Sequence, residues 1–185
     1  MAEIPPVCDF GWPAVDATLP GVDGKAHSIF DCAGPNGLVV AFICNHCPYV
    51  KAVIQRIVQD ANDLKAEGVG FVAINSNDPV AYPEDSFDKM KLFAAAHRFS
   101  FPYLYDEEQM VARAYGAVCT PDFFGFNSDL ALQYRGRLDA SRNQTGMANL
   151  RRDLFEAMKQ VARTGSGPTD QIASIGCSIK WKQPA

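Results

Sequence analysis

Apolar positions in this chain follow two patterns, continuous short runs and helical repeats. The runs at 38–43 and 69–74 are almost entirely apolar, which is typical of strands buried on both faces. A helical repeat separates them, and Gly68 is placed to end it. Its apolar members are Val50, Val53, Ile54, Ile57, Val58 and Leu64. The order strand, helix, strand predicts an α/β protein with helices packed against a central mixed sheet.

Weaker patterns predict the remaining elements. Asp23-Gly24 predicts the turn of a short N-terminal hairpin within 17–25, and 127–129 predicts the turn of a second hairpin. The other predicted elements are helices at 87–94 and 110–115, a strand at 102–105, hairpin strands at 123–126 and 130–134, and a last helix through Met147, Leu150, Leu154, Met158 and Val161.

These elements predict one domain over residues 1–163, followed by a tail at 164–185. The tail is apolar at 175–181, so we expect it to dock on the domain. With 185 residues and 48% apolar residues, the chain can bury a core without disulfides. Its formal net charge of −4, with no basic run, disfavours nucleic acid and membrane partners. The N-terminus has an acid and two prolines where a secretory signal has a basic start and an apolar stretch, so we expect a cytoplasmic protein.

Cysteine placement changes this picture most. The six cysteines are spaced irregularly, which is not typical of a disulfide scaffold. Cys44-Asn45-His46-Cys47 follows the first buried run and opens the first helix. Two thiols three residues apart can form a reversible disulfide, and the helix N-terminus favours a thiolate. The motif therefore predicts thiol–disulfide exchange, with His46 placed to stabilise the thiolate of Cys44.

The order of these signals resembles the thioredoxin fold with an N-terminal hairpin extension and a strand and helix insertion. In particular it is similar to the redoxin (AhpC/TSA) superfamily, which includes peroxiredoxins and thiol reductases. The most similar subgroup is peroxiredoxin-like but keeps a thioredoxin-type pair. Its motifs are Cys-Asn-His-Cys-Pro-Tyr, here 44–49, and Cys-Thr-Pro-Asp-Phe-Phe, here 119–124. The resemblance covers nearly all of 7–163.

The resemblance implies roles for the matching residues. Cys44, usually the more exposed thiol, would attack as the thiolate, and Cys47 would resolve the mixed disulfide. Pro121 would be a cis-proline facing the pair, while Thr120, together with Asn45, would bind substrate, Thr120 by strand-like pairing with a peptide. The implied partners are protein or small-molecule disulfides and thiols and a thiol reductant system. No bound cofactor is implied.

Departures from the family pattern leave alternatives open. Leu38 stands where thioredoxins have a buried acid, so the candidate proton acceptors are His46 or a carboxylate from another segment, for instance Asp122 or Glu84. A peroxidase would use Cys47 as the peroxidatic and Cys44 as the resolving cysteine, but the proline and hydroxyl residue of that motif are replaced by Val40 and Cys44.

Two further alternatives concern metals and the other cysteines. Cys44, His46 and Cys47 could instead carry a soft ion such as copper on the same fold. The isolated thiols of Cys8, Cys32 and Cys119 are interpreted as packing residues. Cys177 is either a third redox thiol that reaches the pair or a docked structural residue.

Overall fold

A computed structural model describes residues 2–6, 8–141, 144 and 150–183. Its helices are α1 (Pro48–Ala66), α2 (Phe87–His97), α3 (Met110–Tyr115) and α4 (Asp153–Thr164). Its strands are β1 (Ala2–Glu3), β2 (Thr18–Pro20), β3 (Ala26–Ser28), β4 (Gly37–Phe42), β5 (Val69–Asn75), β6 (Tyr103–Tyr105), β7 (Cys119–Thr120), β8 (Asp122–Phe126), β9 (Leu132–Gly136) and β10 (Gly176–Ser178). Short 3₁₀ helices lie at Phe30–Cys32 and Pro83–Asp85.

The central sheet has the strand order β6-β5-β4-β8-β9 in the described part of the chain. Strands β4, β5 and β6 are parallel, while β8 and β9 are antiparallel to their neighbours. This is the predicted mixed sheet flanked by helices. Because β4 and β5 are parallel, the chain leaves both strands at the same edge, which brings the Cys44–Cys47 segment beside the loop after Asn75.

Strand β4 is apolar throughout because its side chains enter a hydrophobic core on each face of the sheet. Val39, Ala41 and Ile43 belong to a core cluster shared with α1 and α4, on one face of the sheet. Leu38, Val40 and Phe42 belong to a second cluster on the other face. Both faces of β4 are therefore covered, and its end is a rigid base for the residues that follow.

The predicted last helix was too long at its N-terminal end. Helix α4 begins at Asp153, and Leu150 precedes it outside any helix or strand, while Met147 lies outside the described residues. Its amphipathic repeat from Leu154 to Val161 packs on the sheet as predicted.

A small second sheet was not predicted from the sequence. It has the order β1-β10-β7, with both pairings antiparallel. Strand β10 comes from the tail, so residues 176–178 lie against the segment that precedes Pro121. The predicted N-terminal hairpin forms as β2 and β3, and it turns at Asp23-Gly24.

Candidate active site

The two cysteines of the motif lie where β4 gives way to α1. Cys47 is the N-cap of α1 and Pro48 its first residue, a position where the missing backbone N–H costs nothing. Both cysteine side chains are fully buried, with exposed fractions of 0%. The expectation that Cys44 would be exposed was therefore wrong, because other segments cover the pair.

Thr120 is the first covering residue, and it contacts both sulfur atoms. Its Oγ1 lies 3.3 Å from Cys44 Sγ, and its carbonyl oxygen lies 3.1 Å from Cys47 Sγ and can accept that thiol's hydrogen bond. The Thr120-Pro121 peptide bond is cis, as the resemblance implied. The structure thus brings both expected residues of this loop to the dithiol.

Hydrogen bonding separates the acidities of the two thiols. The neighbouring thiol of Cys44, the thiol of Cys177 and the backbone N–H of Val50 favour a thiolate on Cys47, and together they lower its pKa to about 5 in spite of burial. The Cys44 pKa is raised well above its usual value by its bond to Cys47, by burial and by the charge of Asp85. This order is the reverse of the predicted one, since it places the thiolate on Cys47.

His46 is paired with a buried carboxylate. Its Nδ1 donates to Asp85 Oδ2 at 2.6 Å, and the same nitrogen lies 4.0 Å from Cys44 Sγ. The hydrogen bond from His46 to Asp85 raises the His46 pKa, which favours the imidazolium beside the thiols. The ring is stacked on Tyr82 at 5.4 Å between centroids. His46 is thus held in place on two sides.

Asp85 is the residue that the sequence analysis missed. Its side chain is completely buried and accepts hydrogen bonds from His46, from Asn77 Nδ2 at 2.7 Å and from the backbone N–H of Asn45 at 2.8 Å. Burial raises the Asp85 pKa, but the bonds from His46 and Asn77 outweigh it, and the net pKa is lowered. The only signal in the sequence was its neighbour Glu84, which was considered as a proton acceptor.

Asn45 does not point outward for substrate. Its amide donates to the carbonyl oxygen of Glu84 at 3.0 Å and accepts from the Tyr103 hydroxyl at 2.9 Å. The residue is buried, so it ties the motif to the 3₁₀ helix and to β6. This role differs from the predicted one, because all of these partners belong to the chain itself.

Asp122, another candidate proton acceptor, directly follows the cis-proline but is paired with an arginine. Its carboxylate pairs with Arg135 at 3.1 Å, and burial raises its pKa to about 6. Cys119 is fully buried and its pKa is raised by burial, in keeping with the predicted packing role. Cys8 and Cys32 are half-buried free thiols whose pKa values burial raises to about 11.

A metal ion would find three donors here. One ligand atom each of Cys44, His46 and Asp85 lies within 4.8 Å of the other two. This set differs from the predicted one, in which Cys47 stood in place of Asp85. A thiolate and an imidazole suit a soft or borderline ion, but His46 Nδ1 and Asp85 already satisfy one another.

Tail residue Cys177 completes the surroundings of the pair. In the sheet it lies directly opposite Thr120, and its side chain packs against the core cluster that contains Cys44 and Cys47. Next to it, Pro121 and Ile175 line part of a cavity of about 240 Å³, together with Ile4, Val53, Phe123 and Leu138. The tail therefore covers the dithiol, and the cavity opens beside it.

A family model described as the AhpC/TSA family matches residues 10–137. The chain belongs to the AhpC/TSA family. Membership agrees with the thioredoxin-like sheet and with a cysteine at the start of α1, and at the level of the family the chemistry is that of a thiol-based oxidoreductase. Among the described residues no helix is both long and apolar enough to cross a membrane.

Two solved structures are similar to this chain over nearly its whole length. An uncharacterized conserved protein of Geobacillus kaustophilus is 45% identical, with a TM-score of 0.93 over 100% of this chain and 98% of that one. Hypothetical protein SMc02350 of Sinorhizobium meliloti is 36% identical, with a TM-score of 0.91 over 98% and 99%.

A more distant match is peroxidoxin BcpB of Mycobacterium tuberculosis, at 18% identity and a TM-score of 0.58 over 83% and 92% of the two chains. It shares the fold with this AhpC/TSA protein. A comparison with curated proteins finds no match.

Proposed function

We propose that this AhpC/TSA protein is a thiol–disulfide oxidoreductase that cycles between the dithiol and the disulfide of Cys44 and Cys47. The observation that carries the proposal is the pair itself. Two free thiols lie three residues apart at the N-terminus of α1, and both contact Thr120, which precedes the cis-proline. Such a pair combines a thiolate with an adjacent thiol that can displace a bound partner.

In the proposed reaction Cys47 is the nucleophile. Its thiolate attacks one sulfur of a substrate disulfide, the other substrate sulfur leaves as a thiolate, and a mixed disulfide forms on Cys47. Cys44 then attacks Cys47, which releases the second substrate thiolate and forms the Cys44–Cys47 disulfide. The proton lost by Cys44 passes to one of the two substrate thiolates. Formation of the Cys44–Cys47 disulfide thus supplies the two electrons that reduce the substrate disulfide. A thiol reductant system restores the dithiol.

His46 supports the second step. It lies 4.0 Å from Cys44 and is held as an imidazolium by Asp85, so its charge stabilises the Cys44 thiolate as that thiol ionises. The cavity beside Pro121, lined mostly by apolar side chains, offers room for a side chain next to the substrate disulfide. Protein disulfides with apolar neighbours are therefore the favoured substrate class.

Redox titration in glutathione buffers, with mass spectrometry to identify the linked cysteines, tests the cycle. We expect one two-electron couple that joins Cys44 to Cys47 in metal-free protein. Metal content should be measured on the protein as purified, because a stoichiometric soft ion without such a couple would favour the carrier alternative instead.

Cysteine variants test the order of attack. Cys44→Ser/Cys177→Ser, which removes both thiols beside Cys47, should accumulate a mixed disulfide on Cys47, while Cys47→Ser should lose exchange, since the remaining thiol of the motif has the higher pKa. Cys32→Ser is the control, because it removes a half-buried thiol that packs against the other core cluster. If the trapped species appeared on Cys44 in Cys47→Ser instead, the order implied by the family resemblance would hold.

Peroxide reduction is a second candidate, favoured by the low pKa of Cys47. Cys47 would be oxidised to a sulfenic acid, and Cys44 would condense with it to give the same disulfide and water. Against it, the proline and the hydroxyl residue of the peroxidase motif are replaced by Val40 and Cys44. Rapid stoichiometric formation of Cys47 sulfenic acid in Cys44→Ser/Cys177→Ser with hydrogen peroxide would support this alternative, and slow oxidation would count against it.

A further inference from the structure

The tail occupies the edge at which a thioredoxin-like enzyme would meet a peptide. Strand β10 pairs antiparallel with β7, so that Cys177 lies opposite Thr120 and Ser178 opposite Cys119. A substrate peptide therefore cannot pair with Thr120 as predicted while the tail is docked, because the chain's own tail already makes that pairing. The residue that it places opposite Thr120 is a cysteine.

Several contacts fix the tail in this register. Beyond β10, the backbone N–H of Ile179 donates to the carbonyl oxygen of Val118 at 3.0 Å, and the Ile179 side chain is buried. The backbone N–H of Lys180 donates to Asn77 Oδ1, and its carbonyl oxygen accepts from Asp78, both at 2.8 Å. Cys177 is thus held in the middle of a docked segment.

Cys177 lies beside the thiol that the proposed cycle uses first. It packs against the core cluster that contains Cys44 and Cys47. Thr120, its partner in the sheet, has its carbonyl oxygen 3.1 Å from Cys47 Sγ, and the Cys177 thiol helps to lower the pKa of Cys47. Cys47 is therefore flanked by two thiols, Cys44 within its own motif and Cys177 from the tail.

We propose that Cys177 is a third redox-active cysteine, which forms a disulfide with Cys47 in place of Cys44. This inference rests on the proposed function. In the step, Cys177 attacks Cys47 Sγ of the Cys44–Cys47 disulfide, the Cys47–Cys177 bond forms, and Cys44 leaves as a thiolate that takes up the proton lost by Cys177. No electrons are gained or lost by the protein. The same attack on a mixed disulfide of Cys47 releases the substrate thiol.

Two physical effects favour the step. A thiol held in contact has an effective concentration far above that of any thiol in solution. Burial and the hydrogen bond to Cys47 raise the Cys177 pKa to about 11, so Cys177 is a thiol in the resting state. Once Cys47 is in a disulfide, it no longer carries the negative charge that raised the pKa of Cys177, so Cys177 ionises more easily.

Equilibrium titration of Cys44→Ser in dithiothreitol redox buffers tests the proposal. After denaturation and alkylation, we expect Cys47 and Cys177 to become protected together as the buffer is made oxidising, with the linked peptide found by mass spectrometry. The Cys44→Ser/Cys177→Ser double variant should lose all of this protection. If Cys177 stays fully alkylated over the range that converts the wild-type pair, the proposal is wrong.

Controls separate this result from a failure of the proposed function. Cys44→Ala repeats the titration should the serine variant fold poorly, and Cys119→Ser/Cys44→Ser shows whether a neighbouring buried thiol contributes. Wild-type protein without a Cys44–Cys47 couple would overturn the proposed function, whatever Cys177 does. Wild-type protein with that couple, but with no Cys47–Cys177 link in Cys44→Ser, would overturn only the inference about the tail.

Discussion

Asp85 determines the electrostatics of the site although it is not in the motif. Its charge raises the pKa of both His46 and Cys44, while the Cys47 pKa is lowered by hydrogen bonds. One buried carboxylate therefore favours a cation on His46 and a proton on Cys44. Its pairing with the motif depends on how the 75–86 segment folds back onto β5, which local sequence patterns do not encode.

Replacing Asp85 by Asn should lower the His46 pKa and destabilise the fold. His46, whose pKa is raised, contributes stability fully below its ordinary pKa of 6.5 and loses it as the pH rises through the raised value. Asp85, whose pKa is lowered, contributes above its ordinary 3.8 and loses this as the pH falls. In denaturant unfolding, the variant should therefore lose about 1.5–3 kcal/mol of unfolding free energy, the value of a charged hydrogen bond. This loss should be largest between pH 3.8 and pH 6.5.

The imidazole proton resonances of His46 measure the same change directly by NMR titration. Asp23→Asn is the matched control, because it removes the exposed carboxylate that pairs with His27 without touching the site. An unchanged His46 titration in Asp85→Asn would show that the pairing does not control its charge.

The thiolate on Cys47 should be visible in the ultraviolet. Thiolate absorbance near 240 nm in reduced protein should rise with a midpoint near pH 5, because hydrogen bonds to Cys47 hold its pKa at about 5. Cys47→Ser should abolish this transition, whereas Cys32→Ser should keep it. A midpoint that disappears in Cys44→Ser but persists in Cys47→Ser would assign the thiolate to Cys44.

At the scale of elements, the strength of the apolar pattern decides what the sequence can predict. Strands β4 and β5 and helix α1 carry long uniform patterns, and the structure confirms them. Strands β7 and β10 have only two and three residues, and each exists because the other pairs with it. Such a long-range pairing leaves no local periodicity, so the apolar residues of the tail predict that it docks on the domain but not that it pairs with β7.

Substitution of Gly176 tests whether the pairing of β10 with β7 shields the dithiol. A Cβ at this position would lie 2.1 Å from the carbonyl oxygen of Thr120, so Gly176→Ala should force β10 away from β7. A docking loss of only about 1.4 kcal/mol would raise the uncovered fraction tenfold, and alkylation of Cys47 by iodoacetamide should accelerate by at least roughly that factor.

Gly11→Ala is the control for general destabilisation. Gly11 has a positive φ of 85° but open space around it, so alanine there is strained without disturbing the tail. If Gly11→Ala accelerates alkylation of Cys47 as much as Gly176→Ala does, the reactivity reports overall unfolding rather than opening of the tail.

At the scale of the whole molecule, the redox state of the pair and the docking of the tail must be linked. The hydrogen bond from Cys177 stabilises the Cys47 thiolate in the reduced protein and is lost when Cys47 enters a disulfide. Docking is therefore tighter in the reduced state. By reciprocity, a docked tail stabilises the dithiol and makes the pair more oxidising.

Amide hydrogen exchange of the full chain in both redox states tests this linkage. We expect the amides of 177–180 to exchange about tenfold or more faster in protein with the Cys44–Cys47 disulfide than in the dithiol form, since a hydrogen bond to a charged group is worth about 1.5–3 kcal/mol. The amides of β4 should not change. Cys177→Ala should remove the difference and make the Cys44–Cys47 pair more reducing. Equal exchange in both states, with an unaltered potential in Cys177→Ala, would mean that the tail is a passive part of the fold.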